Sequence, residues 1–239
     1  MSSIEVPTLK TQRLILRPFS LEDADEVYRN FASDEQVTRF LAFDPPRNVS
    51  EARDTINTWC MYCSVPAYFH WAIELIPLGE VIGSLRGIVT EATSVASLDA
   101  CIGRPWWNQG LMTEALAAVM PFFFNTLSIS CLTACHHPDC PAAGHILRNF
   151  GFQPEGIRRR QGYSNQGVYD EICYSLLRSE YEQIQEDPDR ALWETLYQKA
   201  LSVLNPREIS SCIEAGGVGA ALYTASRHIY TGVCIDTAC

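Results

Sequence analysis

Ile102-Gly103-Arg104-Pro105-Trp106-Trp107-Asn108-Gln109-Gly110-Leu111-Met112-Thr113-Glu114-Ala115-Leu116 is the stretch on which the fold turns. It reads as a strand end, a tight polar turn, and the first turns of a helix. A turn feeding a helix N-terminus presents backbone N–H groups that have no intrahelical acceptor, and the helix dipole adds positive potential there. Gly110 lets main chain approach an anion closely, and Thr113 to Leu116 opens an apolar helical period. Pyrophosphate held by main chain is the chemistry this suits. The same pattern also opens helices that bind no ligand.

Working outward, strands are expected at Leu14 to Leu16, Trp71 to Leu75, Val81 to Val89, Leu98 to Ile102 and Ile129 to Ala134. Helical periods cover Leu21 to Ala32 and Val49 to Cys63, the second capped by Ser50 or Asn48. The helix from Thr113 contains Pro121, which bends or ends it, and another helix runs from Ala142 to Asn149. This alternation predicts an α/β domain with a mixed, mostly antiparallel sheet flanked by helices.

The stretch from Trp107 to Leu116 resembles the acetyl-coenzyme A pyrophosphate loop of the GNAT N-acetyltransferase superfamily, in its Rim-type (ribosomal-protein N-terminal acetyltransferase) branch. Thr11 to Pro18 is similar to that branch's first strand, and Leu21 to Ala24 to the start of its first helix. Leu147-Arg148-Asn149-Phe150-Gly151-Phe152 resembles the family's late helix and its exit. Gly162 to Asp170, then Tyr174 to Leu177, resembles the closing hairpin. The resemblance runs in family order over residues 8 to 182. It implies acetyl-coenzyme A as cofactor, with Trp107, Asn108, Gln109, Gly110, Leu111, Met112 and Thr113 as the pyrophosphate loop. It also implies that a main-chain N–H at the strand end formed by Cys101, Ile102 and Gly103 polarises the thioester carbonyl.

The late loop departs from the family. His137-Pro138-Asp139-Cys140-Pro141-Ala142-Ala143-Gly144 stands where members usually carry Asp-Pro-x-Asn-x-x-Ser, placing Cys140 against the pantetheine arm in place of Asn and Ala143 in place of Ser. One lost polar contact costs on the order of 1 kcal/mol, up to tenfold in affinity. Leu147 occupies the position where many members place a tyrosine acid. Asp99 and Glu74 are the candidate bases, with Cys101 counted among the catalytic positions for its place at the strand end. Glu114 reads as a first-turn charge favoured by the helix dipole. A site this poor in acids and bases favours an amine of low pKa. At pH 7.4 an α-amino group is about 30% neutral, a lysine about 0.1%.

Composition limits the alternatives. The net charge of −10 is spread over both ends of the chain, which argues against a nucleic-acid partner. The Arg158-Arg159-Arg160 run reads as a solvated loop, or as a contact for phosphates or an acidic substrate. No apolar stretch follows Met1, and Ala115 to Phe124 is about half the length a membrane span needs, so the expectation is a cytoplasmic protein without a membrane partner. Ten cysteines in a chain with 47% hydrophobic residues read as reduced thiols. Cys131, Cys135, His136, His137, Cys140 and His145 lack paired metal-ligand spacing, so no metal is expected. A homodimer is left open.

Gln183 to Arg190 is polar and holds Pro188, so it reads as a linker between a domain of residues 1–182 and an appendage of residues 191–239. The appendage predicts a helix over Ala191 to Leu204 and strands over Ala220 to Thr224 and His228 to Asp236, with glycines 216, 217 and 219 breaking the pattern before them. It resembles the amino-terminal part of a cytidine deaminase, through Tyr230-Thr231-Gly232-Val233-Cys234-Ile235-Asp236, and is expected to be incomplete. The zinc-binding motifs that deamination needs are absent from the sequence. Two functions follow: an acetyl-coenzyme A-dependent transferase acting on an α-amine or a small-molecule amine in a ternary complex, or a non-catalytic coenzyme A-binding or partner-binding module with a degraded deaminase-like tail.

Overall fold

The computed structural model describes residues 5–63 and 65–186, together with the strands of 207–210, 213–223 and 229–237. The chain falls into two units, Met1–Tyr181 and Glu182–Cys239.

The first unit is built on eight strands: β1 (Leu9–Lys10), β2 (Leu14–Pro18), β3 (Tyr68–Leu75), β4 (Glu80–Thr90), β5 (Val95–Ile102), β6 (Cys131–His136), β7 (Gln153–Ser164) and β8 (Gly167–Leu177). Their order is β1-β2-β3-β4-β5-β6-β8-β7, antiparallel throughout except that β5 and β6 are parallel. That one parallel pair is short. Val95 to Leu98 pair with Cys131 to Ala134, after which β5 continues to Ile102 and β6 to His136 without each other. β4 holds β5 as far as Ile102, and β8 holds β6 as far as His136. Each inner strand therefore follows its outer neighbour, and a gap opens in the middle of the sheet.

Alternation in the strands sorts the two faces. Leu14, Leu16, Phe69, Trp71, Ile73, Leu85, Ala96 and Leu132 are buried. Phe69 and Trp71 carry Phe122 and Phe123, which follow α4 (Leu111–Pro121). Pro121 has no N–H for the helical ladder, and the chain leaves α4 there through a single wide turn over Phe122–Thr126. Gly87 is what allows the phenylalanines to seat, because a Cβ on it would lie 2.1 Å from Phe123 Cζ. Gly87→Ala is expected to cost about 1–3 kcal/mol by overpacking. A fall in urea midpoint at constant slope would show it, and an unchanged midpoint would mean Phe123 has room to move.

The opposite face carries α1 (Ala24–Val27), α2 (Glu35–Thr38) and α3 (Val49–Tyr62). Ser20 opens the first helical segment with a reciprocal cap: its hydroxyl accepts from Glu22 N–H, and Asp23 accepts from Ser20 N–H at 2.8 Å. Of the two candidate caps for α3, the structure uses Asn48, which accepts from Glu51 N–H at 3.0 Å. α5 (Pro141–Asn149) and α6 (Arg178–Glu186) complete the described helices. α6 was not anticipated, and it runs through Gln183–Glu186, four residues read above as linker.

In the second unit, β9 (Arg207–Ser210), β10 (Ile213–Tyr223) and β11 (Ile229–Thr237) form an antiparallel meander in that order. β10 runs through Gly216, Gly217 and Gly219, which were expected to precede a strand, and its register shifts between Ala215 and Gly219. Part of the linker and the helix expected over 191–204 lie outside the described residues.

Candidate active site

α4 begins at the gap. Asn108 and Gly110 adopt left-handed backbone, at φ 59° and 71°. Left-handed residues alternating with right-handed ones turn successive N–H groups toward one concave side, a geometry that receives anions. Gly110 stands at the N-cap with no side chain to cap the helix. Glu114 is the first residue whose N–H reaches back into the turn, to the Gly110 carbonyl at 3.0 Å, so the N–H groups of Leu111, Met112 and Thr113 have no acceptor within the helix.

A clasp absent from the sequence reading holds this loop. The Glu114 carboxylate turns away from its own helix terminus and accepts from Arg13 Nε (2.7 Å), Arg13 N–H (2.9 Å) and the Thr11 hydroxyl. Arg13 Nη1 donates to the Gln109 carbonyl at 3.0 Å, tying the loop to β2. Arg13 Nη2 is buried and has no acceptor among the described residues. A main-chain concavity, an uncapped helix terminus and an unsatisfied guanidinium N–H beside them together fit an anionic phosphate group. Glu114→Ala is expected to cost roughly 3 kcal/mol, since it strands a largely buried guanidinium. Chemical denaturation measures this, and a loss below 1 kcal/mol would mean the clasp is incidental.

The gap itself is lined by main chain. Gly103 N–H donates to the Ile82 carbonyl on β4 at 2.8 Å. Antiparallel pairs alternate, so Gly103, Cys101 and Asp99 share the set directed at β4, while Ala100 and Ile102 present their N–H groups to the gap. The Ile102 carbonyl is taken by Trp107 Nε1 at 2.8 Å. Cys101 keeps its side chain in the core beside Ser84 Oγ, 3.6 Å away, and burial pushes its thiol up to about 11. Its sulfur lies in the hydrophobic core, away from the gap. Any part Cys101 plays is through the backbone.

On the α3 face, His70, Arg86 and Asp99 lie in register across β3, β4 and β5. Asp99 accepts from Arg86 Nε (2.8 Å) and Nη2 (2.6 Å). Half of its side chain is open to solvent, yet the surrounding protein raises its pKa despite the arginine. Asp99 stands one residue beyond Leu98, the last β5 residue paired with β6, and so beside the gap. His70 is buried among Phe19, Trp59 and Tyr68, and burial with help from Arg86 lowers it to about 3, so it is neutral.

Glu74 lies elsewhere. It is four residues along β3 from His70 and is held by Arg17 Nε at 2.6 Å, while the rest of that guanidinium grips Asp23. Through Arg17 it links β3 to β2 and to Asp23 at the start of α1.

The far wall comes from β6, β7 and β8. Asn165, at the tip of the β7–β8 hairpin, donates to the Leu41, Thr38 and Phe43 carbonyls at 2.8, 3.1 and 3.1 Å, closing that end of the cleft. His137 stacks on Phe40 and meets Tyr169, with ring centroids 4.4 and 4.5 Å apart. Its Nδ1 accepts from Asp139 N–H at 3.0 Å, which fixes the loop that departs from the family pattern. Cys140 is half-buried at the start of α5 and caps nothing with its sulfur. Tyr169 has a raised pKa from burial, with the negative charge of Glu171, Cys135, Asp99 and Cys140 adding to it.

Arg158, read above within a solvated loop, lies on β7 and pairs with Glu171 at 2.8 Å. Tyr163, on the same strand, is largely exposed. Arg86 and Glu171 were missed. A lone arginine in the apolar run from Val81 to Val89 demands a carboxylate partner, and Asp99 is the one acid on the next strand.

Among the described residues, one group of potential metal ligands lies close together: Cys135, Glu171 and Cys173. No helix of the described residues is long and apolar enough to cross a membrane.

Residues 13–153 match the Acetyltransferase (GNAT) domain family. The chain is 30% identical over 175 residues to the uncharacterized N-acetyltransferase p20 of Bacillus licheniformis, covering 73% of this chain and 98% of that one. It is 25% identical over 167 residues to the [ribosomal protein uS5]-alanine N-acetyltransferase of Escherichia coli, covering 66% of this chain and 84% of that one. The solved structure of the microcin C7 self-immunity acetyltransferase MccE, in complex with acetyl-CoA and AMP, is similar with a TM-score of 0.63 at 18% identity, over 70% of this chain and 93% of that one.

Proposed function

The chain belongs to the GNAT acetyltransferase family and is an N-acetyltransferase that uses acetyl-coenzyme A, and on that premise we propose that its acceptor is an α-amine, acetylated by direct attack in a ternary complex. Asp99 carries this reading: it is a half-exposed carboxylate whose pKa is raised by burial, on the strand whose end faces the gap. Acetyl-coenzyme A supplies the activated acetyl thioester. The α4 terminus and the main chain from Trp107 to Thr113 hold the pyrophosphate, and Cys140 borders the pantetheine arm. The N–H of Ile102, directed into the gap, polarises the thioester carbonyl, with Gly103 and Cys101 setting its position through β4. Asp99 takes the proton of the attacking amine, and Arg86 holds the carboxylate in place.

With Asp99 as its base and His70 kept neutral by burial, the cleft suits an amine already partly neutral. The acceptor is a protein N-terminus or a small primary amine of similar pKa, and the alanine N-acetyltransferase activity for which the E. coli relative is named favours the former. The segment from residue 191 we assign to a separate deaminase-like unit.

The test is thiol release from acetyl-coenzyme A by the full chain, with three acceptors: a peptide with a free N-terminus, the same peptide blocked but carrying lysine, and a small primary amine. Turnover of the free α-amine at least a hundredfold above the lysine is the expected result. Equal rates on lysine would remove the α-amine assignment.

A further inference from the structure

Cys135 on β6 and Cys173 on β8 are directly opposed in the antiparallel ladder, and their sulfurs lie 2.8 Å apart. Among the described residues no other two cysteines oppose each other on neighbouring strands. Arg158 closes over the pair, with Nε 3.0 Å from the Cys173 sulfur and Nη2 3.0 Å from that of Cys135. The same guanidinium reaches Glu171 at 2.8 Å. Cys173 is buried and Cys135 is partly open toward the cleft. The acetyl-transfer chemistry uses neither sulfur.

We propose that Cys135 and Cys173 are a redox-active dithiol that forms a reversible disulfide by exchange with a low-molecular-weight disulfide. Three features support this. Opposed positions on adjacent strands bring the two Cβ atoms close without backbone movement. A guanidinium donating to both sulfurs stabilises whichever one carries negative charge during exchange. The more exposed sulfur gives the oxidant a point of entry.

The exchange balances. Burial, with Cys173 and Glu171 beside it, pushes the Cys135 thiol up to about 12 against the pull of Arg158, so its thiolate is scarce at neutral pH and exchange quickens as pH rises. The Cys135 sulfur loses its proton and attacks one sulfur of the small disulfide, expelling the other half as a thiolate. The Cys173 sulfur then loses its proton, attacks the Cys135 sulfur and expels the second half. Two protein thiols are oxidised, one small disulfide is reduced to two thiols, and the two protons end on those thiols. Glu171 completes a possible ligand set with the two sulfurs. Arg158, however, already supplies the positive charge there, and a cation would have to displace it. The disulfide is therefore the better reading.

Its place gives it a consequence. A bond between β6 and β8 would fix the cleft wall that carries Tyr169 and leave Arg158 to Glu171 alone.

The experiment equilibrates the full chain in glutathione buffers from fully reduced to fully oxidised, quenches with acid, alkylates, and maps cysteine peptides by mass spectrometry. The expected result is one cross-linked pair of peptides, carrying Cys135 and Cys173, that dithiothreitol reverses while Cys60, Cys131 and Cys140 form no link to each other. Cys173→Ser should stop at a mixed disulfide on Cys135, and Arg158→Gln should slow formation at least threefold. Independent alkylation of both cysteines at every buffer ratio would overturn the proposal. So would protection of both from alkylation by Zn²⁺ alone, with no cross-linked peptide, which would mark a metal site. Neither readout involves acetyl transfer, so this proposal and the α-amine assignment fail separately.

Discussion

Gly110→Asp abolishes acetyl-coenzyme A binding: the cofactor no longer raises the unfolding midpoint, and calorimetric titration gives no binding heat. Two effects combine at this position. The backbone is left-handed, at φ 71°, where a side chain costs about 1–2 kcal/mol. The larger effect is charge. A carboxylate at the N-cap sits against the first-turn N–H groups of α4 and takes the place of the anion they would receive. One unit charge about 4 Å from another repels by about 4 kcal/mol at an effective dielectric of 20, roughly a thousandfold in affinity. Gly110→Ala separates the two effects, because it carries the strain without the charge. It should lower stability and leave binding measurable. Wild-type affinity in Gly110→Asp would remove the loop assignment altogether.

Much of this site follows from local pattern. The turn before α4 is legible because a glycine ahead of an apolar helical period marks a helix start. The strands β2 to β6 are legible because buried strands alternate or run apolar. β7 is different. As the edge strand it is exposed over most of its length, so its residues carry no alternation, and its charged run Arg158-Arg159-Arg160 read as loop. The gap between β5 and β6 is hidden for another reason: it depends on where pairing stops, and each strand is held to its end by the neighbour on its other side.

Long-range pairs were the least legible. Arg13 meets Glu114 across 101 positions, and Cys135 meets Cys173 across 38. Nothing in either neighbourhood announces the partner. Glu114 illustrates the cost of local reasoning, since its position in the first turn of α4 predicts a charge serving the helix dipole. Its carboxylate instead faces β2, where it satisfies Arg13 and Thr11 and holds the loop against the sheet. Cys101 was singled out for its place at the strand end, but β-strand parity sends its sulfur into the core and leaves the gap to its neighbours.

Asp99→Asn lowers kcat by roughly a hundredfold to a thousandfold and leaves the KM for acetyl-coenzyme A unchanged. A positioned base contributes about 10²–10⁴ in rate, and asparagine keeps the shape while losing the lone proton-accepting charge. The residual rate comes from amine that arrives neutral, so the loss should be smallest for acceptors of lowest pKa. The pH profile makes the assignment specific. Burial raises the Asp99 pKa and Arg86 opposes it, with burial prevailing. The base works only when deprotonated, so wild-type kcat should fall as pH drops through a value above the ordinary aspartate figure of about 3.9. Asp99→Asn should lack that limb, retaining only the dependence set by the amine itself. Arg86→Gln supplies the converse: without the guanidinium the carboxylate is less stabilised, its pKa rises further, and the limb moves to higher pH. A full rate in Asp99→Asn with the acid limb intact would assign proton removal to solvent, leaving orientation and the Ile102 N–H as the sources of catalysis.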